Sequence, residues 1–310
     1  MRDVSDMKNL KCYIYRCANK VIRHTDWYNN QVCGGSTKFW YLSQFGLDVV
    51  NLGSWAGLHA FNYDGTPVKA ANWALGPQSL VHDFNILKNY FSYIHEGGIV
   101  IITVSPFSGL VSNYDKTHNF KYYSFLHPAT IQNFDEGERQ KALRYRQNPF
   151  IEKPVYCIRQ TVKEISRKAI ARIKPPKAVC LEQSAKQIMD GWKKQFGINE
   201  LSMPLSSQHE AEIFSRRKTL VEMITFCKER SLKPYIIVPV MHESLLSLFP
   251  DSFKSNYMDS LMAEGDAPVL DYMNDEMGKH DKYFSSALFL NQRGAKFFTH
   301  RVLKDLNLLP

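Results

Sequence analysis

The chain has 310 residues, 44% hydrophobic and 13% aromatic, enough to bury a substantial core and too apolar for a disordered polypeptide. Its six cysteines (Cys12, Cys17, Cys33, Cys157, Cys180, Cys227) form no C-x-x-C pair and no Cys/His cluster at zinc-ligand spacing, which excludes a metal ribbon and a dithiol redox motif and leaves free thiols, with no metal or cofactor expected. The net charge of +9 is concentrated, since twelve Lys/Arg face only two acids between Arg139 and Lys177, so an anionic partner or a solvated basic face is expected there.

In chain order, MRDVSDMKNLKCYIYRC carries charge where a signal peptide needs an apolar core, and no run of about 18 apolar residues occurs. A cytoplasmic protein is therefore expected, with peripheral contact at the inner membrane as the one membrane association considered. Residues 1–45 lack clean periodicity, and CGGS at 33–36 is a turn signal within them; this reads as an irregular lead-in. LDVVNLG (47–53) is a short apolar run ending in glycine, the pattern of a buried parallel strand feeding the loop G-S-W-A-G.

LVHDFNILKNYFSYI (80–94) predicts a helix with Leu80, Phe84, Leu87, Phe91 and Ile94 inward, ended by Gly97-Gly98. IVIITVSPF (99–107) predicts a central strand. Residues 111–200 do not fit a simple βαβ alternation and read as an insertion. Within it, 155–173 predicts a basic amphipathic helix with Val155, Ile158, Val162, Ile165 and Ala169 on one face, stopped by Pro175-Pro176. Such a helix docks on its own domain or lies on an anionic membrane, the contact considered for 139–177.

A helix at 216–232, a strand at 233–240, a polar helix around 251–264, a short strand at 269–273 and a terminal helix at 291–309 follow. The expectation is one α/β domain, 1–310: a doubly wound α/β/α sandwich with a mainly parallel sheet, flavodoxin-like, with a basic helical insertion. Sites in such sheets lie at the carboxyl ends of the strands. Ser54, at the turn after the first strand, is suited to nucleophilic attack, with a helix cap as its plain alternative. It lacks the G-x-S-x-G elbow, because Leu52 stands two residues before it.

NLGSWAG after a strand, ANWALGPQSL (71–80) and YFSSALFLNQRGAKFFTHRVLKDL (283–306) resemble blocks of the SGNH/GDSL hydrolases, and most nearly the SGNH-like proteins encoded with bacterial cell-surface polysaccharide genes. The resemblance implies Ser54 as nucleophile, with its amide and that of Gly76 as oxyanion donors and Asn72 or Asn113 for the family's asparagine. The implied activity is an esterase or acyltransferase acting on acyl esters, expected to be acetyl, of a surface glycan or its precursor.

The family's terminal D-x-x-H is missing: Ser286 stands at the aspartate and Phe289 at the histidine, and phenylalanine accepts no proton. His280 with Asp281, or His242, are the substitute bases considered, with His59 and His82 behind them. The alternative is a catalytically inactive glycan-binding or scaffold protein, in which Trp55 and Trp73, with Phe61 and Tyr63, would meet sugar rings. Nucleic acid is the least expected partner, because no recognised module accompanies the charge.

Overall fold

A computed structural model describes residues 4–111, 119–173 and 179–310; Asn113, Lys174, Lys177 and the Pro175-Pro176 stop lie outside the described residues. In chain order its principal elements are α1 (Val4–Arg23), β1 (Leu47–Leu52), α2 (Trp55–Ala60), β2 (Ala70–Asn72), α3 (Leu80–Tyr90), β3 (Ile94–Thr103), α4 (Glu136–Gln147), α5 (Pro154–Ile173), α6 (Leu181–Phe196), α7 (Ser207–Lys228), β4 (Lys233–Val238), β5 (Val269–Asp271) and α8 (Gln292–Asp305). They group into two compact units, one of residues 1–42 and 118–178, the other of residues 43–117 and 179–310.

The second unit is an α/β fold on a five-stranded, all-parallel sheet of order β2-β1-β3-β4-β5. Parallel strands need helical crossovers, and the chain steps outward from β1 to β2, then back across to β3, which reverses direction at the β1–β3 boundary. Helices cover both faces. Val49, Ile101 and Ile237 meet Phe298, Val302 and Leu303 of α8, whereas Ile236, on the other face of β4, approaches Gly265 together with Ile224 of α7. On that second side α3 packs on α7, with Phe84 and Phe226 edge to face at 5.5 Å. Burying each such aliphatic or aromatic side chain stabilises the fold by roughly 1.5–3 kcal/mol.

The predicted helix at 80–94 ends early. α3 stops at Tyr90, a 3-10 turn covers Phe91–Tyr93, and β3 already begins at Ile94, so Gly97 and Gly98 lie inside a strand. Gly98 is needed there for close approach, since a side chain would stand 3.0 Å from the Leu47 carbonyl across the irregular start of the β1–β3 ladder. β2 was not anticipated: three half-buried residues give no periodicity to read.

The first unit is helical. α1, read as an irregular lead-in, spans 20 residues, and its end packs with Trp27, Tyr28, Val32 and Cys33 around Cys157 of α5. α5 is a helix as expected, but its docking face is not the aliphatic stripe. Cys157 is buried, Thr161 accepts the Trp27 indole N–H at 3.2 Å, and Glu164 accepts the backbone N–H groups of Asp26 and Trp27 at 3.0 and 2.8 Å. Residues at this spacing share one helix face. Val155, Ile158, Val162 and Ile165 are left 78%, 54%, 55% and 62% exposed. Asp26 and Trp27 open the helical turn that follows α1, whose first N–H groups have no acceptor within it, and Glu164 accepts them at the expense of the apolar docking that the pattern predicted.

Gly53 fixes how β1 leaves the sheet. Its φ of +132° is open to few residues other than glycine, and a Cβ there would stand 2.8 Å from the Thr103 Cβ at the end of β3. Gly53→Ala is therefore expected to lower stability by about 2–4 kcal/mol, read as a fall in the urea midpoint. A Thr103→Gly background, which removes the Cβ that alanine would keep, should recover the steric part and leave the backbone part, each measured against Thr103→Gly alone.

Candidate functional site

Ser54 sits at the first position beyond the Gly53 turn, at the N-terminal end of α2, with its hydroxyl half-buried. Its side chain makes no helix-cap hydrogen bond. Instead Ser54 Oγ accepts the backbone N–H of Gln78 at 3.0 Å, so the strand-end loop is joined to the segment before α3. The same segment is tied again through Asp83, which is 2% exposed. Asp83 Oδ1 accepts the Gly53 N–H at 2.8 Å and a hydrogen bond from Gln78 Nε2, and that amide also reaches the Gly53 carbonyl at 3.3 Å.

Gly76, the expected second oxyanion donor, lies beside this loop, but against the indole of Trp55. A side chain at 76 would fall 2.1 Å from the ring. Trp55 itself is 42% exposed and stacks on His59, with centroids 5.8 Å apart and planes 14° from parallel. Phe289 completes this aromatic group, 4.6 Å from His59 and 6.4 Å from Trp55. The residue standing at the histidine position of the family frame therefore does reach the helix that follows Ser54. Ser286 accepts the Phe289 N–H at 3.1 Å and so shapes the turn that presents the ring.

The substitute bases are engaged elsewhere. His242, 3% exposed, accepts the Ser244 N–H at Nδ1 (3.2 Å) and faces the Asp281 carboxylate through Nε2 at 3.1 Å. A backbone N–H only donates and a carboxylate only accepts, so both ring nitrogens are committed. Asp281 thus pairs with His242, not with His280, which is solvent-exposed and packs edge-on against Tyr283. His82 contacts Ser79 Oγ through Nδ1 at 3.0 Å. Among the described residues no histidine is hydrogen-bonded to Ser54.

Two expected substrate residues are structural. Trp73 is 1% exposed in the core, because its backbone continues the ladder by donating to the Asn51 carbonyl at 2.8 Å and its ring turns inward onto Tyr90. It cannot serve as a sugar platform. Asn72 directs its amide N–H groups at the carbonyls of Gly57, Leu58 and Phe61, while its Oδ1 accepts from Asn51 and Ala74. It closes the C-terminal end of α2 and keeps no donor for an oxyanion. Phe61 is buried, and Tyr63 packs on it at 6.0 Å.

Space follows the same division. Where the loops after β1, β3 and β4 converge, the gap between Ala56, Ser105, Pro239, Met241 and Leu288 holds about 10 Å³, room for about one water. A larger, open cleft of about 360 Å³ lies beside β2, lined by His59, Asn62, Asp64, Asn72, Asn291 and Gln292 among others. Sequence reasoning missed Asp83, whose place in the first turn of a helix looks like ordinary dipole compensation, and placed His59 behind His280 and His242 although it stands only five residues past Ser54.

The chain matches no protein-family model, no curated protein and no solved structure.

Burial between the two aromatic rings holds the His59 pKa below its ordinary value of 6.5. The unfolded chain then binds more protons than the native one between the folded pKa and about 6.5, so this contribution to stability is complete above that value and lost as pH falls. His59→Phe keeps the stack and removes the titration. Its unfolding free energy should fall less steeply between about pH 6.5 and 5 than that of the wild type, as read by urea titration.

Proposed function

We propose that this protein binds a carbohydrate of the cell surface, or a precursor of one, on an SGNH-like α/β unit that does not turn it over. The observation that carries this reading is Phe289: the side chain facing the helix after Ser54 is an apolar ring packed on His59 and Trp55. A serine nucleophile needs a base within about 3 Å, and among the described residues the only group bonded to Ser54 Oγ is an N–H donor.

Carbohydrate sites combine an apolar plate for the C–H face of a ring with planar amides and carboxylates for its hydroxyls. Trp55 and His59 supply the plate, and the cleft that His59 lines adds Asn62, Asp64 and Gln292. A glycan is the ligand class proposed because the blocks at 47–53, 71–80 and 283–306 resemble those of SGNH-like proteins of polysaccharide gene clusters.

The test is direct. Purified protein should leave a fluorophosphonate probe unattached and hydrolyse acetyl esters no faster than Ser54→Ala, while binding surface-glycan oligosaccharides in a manner that Ser54→Ala preserves and Trp55→Ala weakens roughly tenfold. Labelling of Ser54, or glycan binding indifferent to Trp55, would overturn the reading.

Peripheral contact with an anionic bilayer is the accompanying proposal, supported by the exposed aliphatic stripe of α5 between Lys163, Arg167 and Arg172. No helix among the described residues is long and apolar enough to cross a membrane. Sedimentation with phosphatidylglycerol vesicles should be strong at low salt and abolished by Ile158→Glu with Ile165→Glu; equal sedimentation of that variant rejects the contact.

A further inference from the structure

The helical unit contains a cavity of about 870 Å³, far larger than either opening in the sheet unit. Its longest wall is α1, which contributes Arg16, Asn19, Lys20 and Arg23, residues whose spacing of three, four and seven puts them on one helix face. The turn Ser36–Tyr41 adds Lys38 and Trp40. No aspartate or glutamate lines the cavity, and among the described residues Arg16, Lys20 and Arg23 have no ion-pair partner.

Some of these groups already have structural duties. Asn19 Oδ1 accepts the Phe150 N–H at 2.9 Å, and Arg23 donates to the Gln147 carbonyl. Arg16 and Lys20, both exposed, have none. The positive field does not stop at the lining. Arg146, 3% exposed, places its guanidinium 5.9 Å from the centre of the Trp40 ring and spends one nitrogen on the Phe120 carbonyl, leaving Nε and Nη1 buried without partners. Burial and the neighbouring Lys121 push the Lys38 ammonium down to about 7, as expected where positive charges are crowded into poorly hydrated space.

Like charges gathered round one opening repel one another and are relieved by an anion. Arg16, Lys20 and Arg23 span about 10 Å along the helix axis, so two phosphates in tandem can meet all three without the side chains converging on one point, as a single phosphate would require. We propose that this cavity binds a soluble organic diphosphate, its phosphates along the Arg16–Lys20–Arg23 face of α1 and its ring against Trp40 and Tyr41. The site lies within the helical unit and does not depend on how the serine-bearing unit is read.

Titration calorimetry of the full chain tests it with pyrophosphate, uridine diphosphate and uridine as probes. The diphosphate should bind, more tightly than pyrophosphate because of the aromatic wall, uridine should not, and affinity should fall steeply with added salt. Arg16→Gln with Lys20→Gln, two exposed positions whose loss leaves the fold intact, should weaken the diphosphate by about tenfold or more, whereas Lys194→Gln in the sheet unit changes nothing. Phosphatidylinositol phosphate vesicles separate a lipid headgroup from a soluble ligand: binding to them alone, with no response to uridine diphosphate, rejects the soluble ligand. Absence of binding up to about 5 mM, or affinity unchanged in the double variant, overturns the site.

Discussion

The sheet unit depends on a close approach at the end of β1, where the chain turns through Gly53 with no room for a side chain above Thr103. Gly57, one turn into α2, meets the same threonine, since a Cβ there would stand 3.0 Å from Thr103 Oγ1. Two glycines thus let α2 descend onto the end of β3, and Asn51 and Asn72 close on the Gly57 carbonyl from the strands. The buried Asp83 carboxylate then takes the Gly53 N–H that would otherwise be left unpaired beneath the loop. Moving any one of these groups would displace Ser54, Trp55 and His59 together, because all three ride on the same six-residue helix and its cap.

That constraint was partly legible in the sequence. The aliphatic runs at 47–52, 99–103 and 233–238 announce strands covered on both faces, and the glycine after the first marks the turn. The parallel α/β class follows from their alternation with helices, and all five strands are indeed parallel. Phe289 drew notice in the sequence only through a short frame resembling a family block, and its ring lies against His59 of α2. Asp83 and the duties of Asn72 were not legible, because both act on backbone groups, and a sequence does not record which carbonyl or N–H lacks a partner.

The helical unit was read less well for one physical reason that applies to two helices. α1 buries Asn19 and Ile22 while Tyr13, Ile14 and Val21 face solvent, and α5 buries Cys157 while its aliphatic stripe faces solvent. In both, small or hydrogen-bonding residues stand on the docking surface, beside Ile22 in α1, and some answer backbone groups, as Asn19 answers Phe150 and Glu164 answers Asp26 and Trp27. Hydrophobic periodicity assumes that apolar residues mark the buried face, and here the assumption is inverted. The same inversion frees the Arg16–Arg23 face of α1 to line a cavity and leaves the stripe of α5 open to a partner.

Ser54 has a structural duty at the end of β1 that is independent of any chemistry. A nucleophilic hydroxyl donates its proton to a base, and its oxygen must be free to approach a carbonyl carbon. Here the oxygen accepts the Gln78 N–H and thereby fastens the loop that carries Gly76, Pro77 and Gln78 against the end of β1. Gln78 in turn spends its side chain on Gly53 and Asp83, so the hydroxyl belongs to a closed polar network whose other members are backbone groups and a buried carboxylate. The hydroxyl oxygen keeps a second lone pair and its proton, so what the bond to Gln78 fixes is the position of Ser54 against the loop before α3. The apolar ring at 289 and the hydrogen bond that holds Ser54 Oγ thus sit at the two ends of α2, and Trp55 stays 42% exposed and stacked on His59, which lines the polar cleft beside β2.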